Sequence, residues 1–378
     1  MRIVIAGGGT AGHVLPSIAV ADRLREGGAS VEFVGSRDGQ EASIVPAAGY
    51  RFHGVAASPF RREVSVRSAA APFVALGSVA ASRPIVRGAA AVLGMGGYAS
   101  IAPVVAARSA RVPAVLHEQN AIPGLANRLL ARLTTAMALT FEDSRTRFPR
   151  SLRMEVTGLP LRRQIREVTV RRDELAAEAF GTWDLDPERA TVLVTGGSQG
   201  ALRVDETVAL AIPLLAGRSD LQLVVLTGAA HEAIVATVAH GEMELIVRTV
   251  PFLERMELAL AVADLAIARA GANTIHELAA CSIPAILVPY PHATDDHQEA
   301  NARELVRAGA ADLYRDGDLT PDGLAHRILS LVADRERRTM MAKAGAAWAK
   351  PDADERVAQL VRDVAERAER EPRSKGGP

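Results

Sequence analysis

The chain of 378 residues carries 44 basic and 44 acidic side chains, and 48% of its residues are apolar. This composition excludes an intrinsically disordered chain, and the zero formal charge argues against a protein whose whole surface binds nucleic acid. At about 150 residues per domain, the length predicts two or three domains. Cys281 is the only cysteine, so the chain has no intrachain disulfide.

The zero total is a cancellation between two oppositely charged halves. Residues 1–161 hold 18 basic and 10 acidic side chains, a net charge of +8. Residues 162–378 hold 26 basic and 34 acidic side chains, a net charge of −8. Within the first half, residues 61–87 contain five arginines and one glutamate, net +4.

In the first half, short apolar runs alternate with helical patterns, an order typical of a parallel, doubly wound α/β sheet. The uncharged stretch from Gly88 to Ala107 is interrupted by glycines and Pro103, so we predict a strand, a loop and a helix there and not a membrane span. The predicted strands are Arg2–Ala6, Val31–Val34, Ala90–Leu93, Ala114–Leu116, Ala136–Thr140 and Met154–Thr157, and the clearest helices are Val14–Glu26 and Leu125–Arg132.

The pattern restarts after Gly158-Leu159-Pro160, which predicts a second α/β domain of similar size. Pro351 is expected to start the last helix. The predicted strands are Thr191–Thr195, Leu221–Thr227, Glu244–Thr249, Leu265–Ala268 and Ala285–Val288; the helices are Ala201–Leu215, Met256–Val262, Thr274–Ala280, Gln298–Ala308, Asp334–Trp348 and Asp352–Arg370.

The first candidate site is the glycine-rich run Gly7–His13, which follows a predicted strand and opens a helix. Its glycines fit a dinucleotide-binding fingerprint, and Glu32 lies twenty residues after Gly12, where that fingerprint expects an acid. His13, however, places an imidazole at the mouth of the loop, as an acid–base site requires. A tight turn with a capping histidine is the third interpretation, and the motif alone leaves all three open.

A second glycine-rich run, Gly196–Gly200, occupies the same relative place in the second half. Backbone N–H groups of such a loop at a helix N-terminus suit a diphosphate, and Ser198 and Gln199 can add hydrogen bonds. Both loops follow the carboxyl ends of their strands, so we expect them to meet across one cleft between the domains.

Polar residues also follow other predicted strands. His117-Glu118-Gln119-Asn120 would be costly to bury without partners, which favours a site over a core. In the loop Gly94–Tyr98, Tyr98 offers a hydroxyl, and a flexible turn is the alternative.

Two later segments carry polar side chains as well. In Arg269–Glu277, Asn273 or Thr274 explains a helix cap. Glu277 is suited to ribose hydroxyls, and a solvated surface glutamate is the alternative. In Asp295–Asn301 an acidic pair suggests a metal, but the spacing supports none strongly, and its amides suit sugar hydroxyls equally well.

Taken in order, these segments resemble glycosyltransferase family 28, which includes peripheral-membrane transferases of peptidoglycan synthesis. The resemblance covers roughly residues 2–310; each motif is weak alone, and the ordered set is specific. The matching segments are Gly8–His13, Gly94–Ser100, His117–Asn120, Gly158–Arg162, Gly196–Gly200, Arg269–Glu277 and Asp296–Asn301.

The resemblance implies the GT-B architecture, two Rossmann-like doubly wound domains facing a central cleft. It implies an inverting transfer of N-acetylglucosamine (GlcNAc) from UDP-GlcNAc to the C4 hydroxyl of MurNAc in undecaprenyl-pyrophosphoryl-MurNAc-pentapeptide (lipid I), which gives lipid II. Residues 1–161, joined by a helix at about 351–370, would form the acceptor- and membrane-side domain. Residues 162–350 would bind UDP-GlcNAc, and residues 371–378 would be a disordered tail.

The resemblance also assigns substrate contacts. Leu253 and Met256 would flank the uracil, Glu277 would bind the ribose and Gln298 the sugar. The remaining donor contacts would be Arg162, Gly197, Ser198, Gln199, Ala272, Asn273 and Thr274, and the first domain would contribute Thr10, Ala11, Gly12, His13, Tyr98 and Asn120. The family often has glycine where Ala11 stands and asparagine where Leu159 stands, so a side-chain contact at residue 159 is lost here.

For an inverting transfer, His13 is the first candidate for the base because imidazole titrates near neutral pH. Glu118 is the second candidate, or it orients His13 or the acceptor. Loop N–H groups and Arg162 would stabilise the departing diphosphate, so we expect no obligatory metal and no cofactor.

A membrane contact is the second expectation. Between the arginines of residues 61–87 lies the apolar run Ala69–Ala81. Phe73 and Leu76, rimmed by Arg83 and Arg87, suit attachment to the anionic inner leaflet at the cytoplasmic face of the cell membrane. An ordinary core helix with solvated arginines is the alternative.

Three other functions stay open. An NAD(P)- or flavin-dependent oxidoreductase would use Gly7–Gly12 and leave the second loop unexplained. Another GT-B enzyme would use a different lipid acceptor, such as diacylglycerol. A non-catalytic nucleotide-sugar-binding protein would have no need of His13 and Glu118.

Overall fold

The computed structural model describes residues 1–57, 66–197, 200–228, 230–239 and 243–370, and within these ranges all side chains except those of residues 66–73 and 239. Arg61, Arg62, Glu63, Ser198, Gln199 and the tail at 371–378 therefore lie outside the described residues. The chain divides into two compact units: unit 1 is Met1–Arg162 with Lys350–Pro378, and unit 2 is Arg163–Ala349.

Unit 1 contains a seven-stranded parallel sheet in the order β3-β2-β1-β4-β5-β6-β7. The order reverses between β1 and β4, which leaves a crevice beyond their carboxyl ends. Its strands are β1 (Arg2–Ala6), β2 (Ser30–Ser36), β3 (Arg51–Val55), β4 (Ala91–Gly94), β5 (Ala114–Glu118), β6 (Ala136–Leu139) and β7 (Arg153–Val156), and its helices are α1 (Ala11–Glu26), α2 (Glu41–Ala47), α3 (Val66–Val86), α4 (Ile101–Ser109), α5 (Leu125–Leu130) and α15 (Ala353–Arg370).

Helices cover both faces of this sheet, as a parallel sheet requires. On one face, α1 and α15 pack on β1 and β4 through Val20, Leu24, Val357 and Val361. An ion pair between Arg23 of α1 and the buried Asp354 of α15 (2.7 Å) reinforces this packing. On the other face, α4 and the end of α3 bury residues such as Val104 and Val86.

Unit 2 contains a six-stranded parallel sheet in the order β10-β9-β8-β11-β12-β13, with the order reversing between β8 and β11. Its strands are β8 (Ala190–Thr195), β9 (Leu221–Leu226), β10 (Ile246–Val250), β11 (Leu265–Ala268), β12 (Ala285–Leu287) and β13 (Ala311–Leu313). Its helices are α6 (Arg163–Arg166), α7 (Arg172–Trp183), α8 (Leu202–Leu215), α9 (Glu232–Ala239), α10 (Met256–Val262), α11 (Ala272–Ala280), α12 (His297–Arg307), α13 (Pro321–Ala333) and α14 (Arg335–Trp348).

The predicted fold class, two doubly wound parallel α/β domains, is confirmed. The expectation that Pro351 starts the last helix is wrong, because Pro351 and Asp352 form a turn and α15 begins at Ala353. The stretch Gly88–Ala107 is a strand, a loop and a helix. No helix in the described part of the chain is both long enough and apolar enough to cross a membrane.

Candidate active site

The first glycine-rich loop is held by two side chains outside the motif. Buried Glu41, which opens α2, accepts hydrogen bonds from the N–H groups of Gly9 (2.8 Å) and Ser36 (2.8 Å). Gln40 accepts one from the N–H of Ala11 at 2.6 Å. The backbone of the loop is therefore pre-shaped by the segment that follows β2.

These contacts disfavour the dinucleotide-binding interpretation. The N–H groups of Gly9 and Ala11, which a pyrophosphate would need, already bond to protein side chains. Glu32 lies near the amino end of β2, and its carboxylate is 2.8 Å from His53 Nε2. A ribose-binding acid is expected at the other end of that strand.

His13 is the third residue of α1 and lies beyond the switch point between β1 and β4. Its Nδ1 is 3.2 Å from the carbonyl oxygen of Met95. Because a carbonyl only accepts, Nδ1 carries the proton, and in the neutral ring Nε2 is then the basic atom. The ring packs against Gly96 and Gly97, where a Cβ would lie 3.4 and 3.3 Å from its carbons.

Tyr98 completes this arrangement. A Cβ on Gly9 would lie 2.8 Å from the Tyr98 ring, so the ring rests on the first glycine-rich loop. Thr10 at the start of α1 is exposed, and Ala11 and Gly12 are partly exposed. The structure thus brings together the first loop, His13 and Tyr98 at one end of unit 1.

The polar run His117–Asn120 begins inside β5, whereas the sequence predicts that it follows this strand. His117 and Glu118 are the last two residues of β5, and both are buried. Glu118 accepts hydrogen bonds from the N–H groups of Asn120 (3.0 Å) and Gly124 (3.1 Å) and from Asn127 Nδ2 (2.9 Å). The carboxyl group therefore holds its own loop, which carries half-buried Asn120, and the orienting acceptor for His13 is the Met95 carbonyl.

Burial changes the pKa of both residues in β5. Desolvation raises the pKa of Glu118 to about 6 and lowers the pKa of His117 to about 4, because burial disfavours each charged form. His117 Nε2 lies 3.2 Å from the carbonyl oxygen of Gly158. His117 therefore connects β5 to the end of the first segment of unit 1.

The second glycine-rich loop lies between β8 and α8. The N–H of Gly197 donates to Thr195 Oγ1 at 3.2 Å. Gly200 has a φ of +72°, and a Cβ there would overlap the carbonyl oxygen of Thr227, so this position requires glycine. The adjacent predicted contacts, Ser198 and Gln199, are the ones outside the described residues.

The other predicted donor contacts follow neighbouring strands of the same sheet. Leu253 and Met256 come after β10, Ala272-Asn273-Thr274 after β11, and Gln298 after β12. Because these strands are parallel, all three segments stand at the carboxyl edge of unit 2, as the second loop does.

Several of these predicted contact residues have side chains that solvent can reach. Asn273 and Glu277 lie one turn apart on α11 and are partly exposed. Gln298 Oε1 accepts a hydrogen bond from the N–H of Tyr290 at 3.0 Å.

Arg162, another predicted donor contact, is partly buried and is the last residue of the first segment of unit 1. Among the described residues, no three His, Cys, Asp or Glu side chains converge as a metal site would require.

The predicted membrane residues lie on α3. Leu76 is 69% exposed, and Arg83 and Arg87 are exposed at the end of that helix and just beyond it. The side chain of Phe73 is outside the described residues. A feature missed from the sequence lies nearby: α5 and the turn after it expose Leu125, Leu129 and Leu133 at four-residue intervals, and α4 packs against both α3 and α5.

Both parts of the chain match one family. Residues 3–139 match the glycosyltransferase family 28 N-terminal domain, and residues 191–357 match the glycosyltransferase family 28 C-terminal domain. Among solved structures, Acinetobacter baumannii MurG aligns with a TM-score of 0.77 at 29% identity, covering 96% of this chain and 99% of that one.

Two curated relatives span nearly the whole chain. A protein of Clavibacter sepedonicus is 41% identical over 367 residues, 96% of each chain, and one of Halothermothrix orenii is 37% identical over 374 residues, 97% of this chain and 99% of its own length. Both are named UDP-N-acetylglucosamine–N-acetylmuramyl-(pentapeptide) pyrophosphoryl-undecaprenol N-acetylglucosamine transferase. Fold and matches together define a glycosyltransferase of the GT-B class. More particularly, the chain belongs to glycosyltransferase family 28.

Proposed function

We propose that this enzyme transfers GlcNAc from UDP-GlcNAc to the C4 hydroxyl of MurNAc in lipid I, with inversion at the anomeric carbon, to form lipid II for peptidoglycan. The observation that carries the proposal is the 37–41% identity, over nearly the full length, to relatives named for this transfer. The order of the two family 28 domains along the chain supports it.

In the proposed reaction, His13 Nε2 accepts the proton of the C4 hydroxyl while that oxygen bonds to C1 of GlcNAc. The bond between C1 and the diphosphate oxygen breaks, and its electron pair leaves with UDP. The support for His13 is its Nδ1 contact with the Met95 carbonyl, which orients the ring and favours the imidazolium that forms. Unit 2 binds the donor, and the N–H groups of its glycine-rich loop stabilise the charge on the diphosphate. Arg162, the last residue of the first segment of unit 1, adds a charged contact to the diphosphate.

The test is incubation of the purified protein with UDP-GlcNAc and a lipid I analogue. We expect release of one UDP and a gain of one GlcNAc residue in the acceptor mass, undiminished by EDTA. UDP-glucose and diacylglycerol serve as controls. Transfer to diacylglycerol in place of the lipid I analogue would favour the alternative GT-B enzyme, and loss of activity in EDTA would contradict metal-independent transfer.

We further propose that the enzyme acts at the cytoplasmic face of the cell membrane, with α3 and α5 against the anionic leaflet. Exposed leucines flanked by Arg83, Arg87, Arg128 and Arg132 support this contact, since apolar insertion and basic side chains act together.

Vesicle co-sedimentation tests the membrane contact. The double variant Phe73→Asp, Leu76→Asp is expected to bind anionic vesicles several-fold more weakly than wild type. Leu210→Asp is the matched control, because Leu210 is similarly exposed on α8 of unit 2. Equal binding by the double variant would rule out the α3 contact.

A further inference from the structure

A histidine–aspartate pair lies beside the second glycine-rich loop and has no part in the mechanism above. Asp205, in the first turn of α8, has a fully buried side chain, and its Oδ2 is 2.9 Å from His231 Nδ1. The same oxygen accepts a hydrogen bond from the N–H of Ala201 at 3.3 Å. Asp205 Oδ1 has no hydrogen-bond partner among the described residues. A buried carboxylate with so few hydrogen-bond donors is costly, so its presence beside the loop calls for a reason.

His231 stands between β9 and α9, against the end of the loop. A Cβ on Gly200 would lie 3.0 Å from His231 Nδ1, so the absence of a side chain at Gly200 leaves room for the ring. The His231 side chain is 20% exposed, whereas its partner Asp205 is inaccessible. Because Nδ1 faces the buried carboxylate, Nε2 stands on the opposite side of the ring.

We propose that His231 is a donor-binding residue: Nδ1–H bonds to Asp205, and Nε2–H donates a hydrogen bond to the diphosphate of the nucleotide sugar and of departing UDP. The inference rests on the proposed function, since it takes the Gly196–Gly200 loop as the diphosphate site. A ring with both protons is a cation between two anions, Asp205 and the diphosphate. Asp205 is the positioning residue, because it orients the ring and does not touch the substrate.

Two amide substitutions separate substrate contact from loop support. His231→Asn retains an N–H near the position of Nδ1, so it can still bond to Asp205, but it has nothing at Nε2. His231→Gln retains an N–H near the position of Nε2. We expect kcat/KM for UDP-GlcNAc to fall about tenfold or more in His231→Asn, as for a lost charge-assisted hydrogen bond, and to recover to within about threefold of wild type in His231→Gln.

Ligand binding by calorimetry gives a second readout. His231→Asn should weaken UDP binding about tenfold and leave uridine binding unchanged, because only UDP carries the diphosphate. Asp205→Asn should weaken UDP binding in the same direction. His326→Asn is the matched control, since His326 is an exposed histidine of α13 in the same unit.

The outcomes are distinct. A purely structural role predicts the reverse order, with His231→Asn near wild type and His231→Gln impaired, and would overturn the inference. Equal losses for UDP and uridine would also overturn it. Wild-type transfer to lipid I with both His231 variants unaffected would overturn this inference alone. A wild-type protein that did not bind UDP would overturn the proposed function and this inference with it.

Discussion

At the residue scale, a backbone carbonyl orients the proposed base. Met95, whose N–H bonds back to Ala6 at 2.7 Å, presents its carbonyl oxygen to His13 Nδ1. A rigid acceptor of this kind sets the ring tautomer without adding a charge beside the base.

His13→Ala is expected to lower kcat by about 100- to 10,000-fold, the usual contribution of general base catalysis, with KM for UDP-GlcNAc changed only a few-fold. UDP release at saturating donor and acceptor measures the effect. The exposed His326→Ala should be indistinguishable from wild type. A kcat near the wild-type value in His13→Ala would show that another group takes the proton.

Glu41→Gln tests the support of the first loop. The amide can accept from only one of the N–H groups of Gly9 and Ser36, and its own N–H₂ opposes the other. We expect the free energy of unfolding to fall by roughly 1.5–3 kcal/mol, as for hydrogen bonds to a charged group. Urea denaturation measures the change, and Glu142→Gln at an exposed site should alter it by less than about 0.5 kcal/mol.

Residues within a motif can be predicted from the sequence, but the side chains that hold the motif in place cannot. The glycines around Glu41 show why: a Cβ on Gly8 or Gly39 would overlap its carboxyl group, and a Cβ on Gly35 would lie 2.8 Å from its Cγ. These positions are scattered along the chain and surround one carboxylate only after β1, β2 and α2 have packed. No local spacing marks Glu41 in advance, whereas His13 stands within a recognisable run.

At the element scale, β5 carries two buried groups with opposite effects on stability. His117 has a folded pKa of about 4 against an ordinary value of 6.5, so its contribution is present above pH 6.5 and is lost as pH falls toward 4. Glu118 has a folded pKa of about 6 against 4.5, so its contribution is present below pH 4.5 and is lost as pH rises through 6.

Urea denaturation between pH 7 and 4 separates the two groups. Relative to His117→Asn, the wild-type protein is expected to lose about 3 kcal/mol of stability as pH falls from 6.5 to 4. Relative to Glu118→Gln, it should gain about 2 kcal/mol as pH falls from 7 to 4. Parallel pH profiles for wild type and variants would contradict these directions.

The sequence patterns miss two of the four strands at sheet edges, β3 and β13, whereas the edge strands β7 and β10 are predicted from the sequence. β3 reads Arg-Phe-His-Gly-Val and β13 reads Ala-Asp-Leu, and each pairs with only one neighbour. Neither β3 nor β13 contains the continuous apolar run of a strand that is buried on both faces, so hydrophobicity does not reveal them. The central strands β1 and β11, buried on both faces, were predicted with the observed bounds.

At the scale of the whole molecule, the charge asymmetry follows the two units. Unit 1 holds 26 basic and 17 acidic residues, net +9, and unit 2 holds 18 and 27, net −9. The C-terminal segment that returns to unit 1 has seven of each sign and leaves the asymmetry intact. A positive unit that also exposes leucines is suited to an anionic surface.

Association with anionic vesicles is therefore expected to weaken several-fold when NaCl rises from about 0.1 to 0.5 M, because exposed charges are then screened over shorter distances. Co-sedimentation at each salt concentration measures the effect. Zwitterionic vesicles, as a control, should bind weakly at both concentrations. Salt-independent binding to the anionic vesicles would mean that the arginines do not contribute.

The path of the chain also affects how the protein is made. Unit 2 comes from one continuous segment, whereas the core of unit 1 includes Val357, Leu360 and Val361 of α15. During synthesis, the ribosome therefore supplies all of unit 2 before it supplies the helix that closes unit 1. The domain that begins second can finish folding first, and the nascent unit 1 keeps an open hydrophobic face that chaperones can occupy until the last helix emerges.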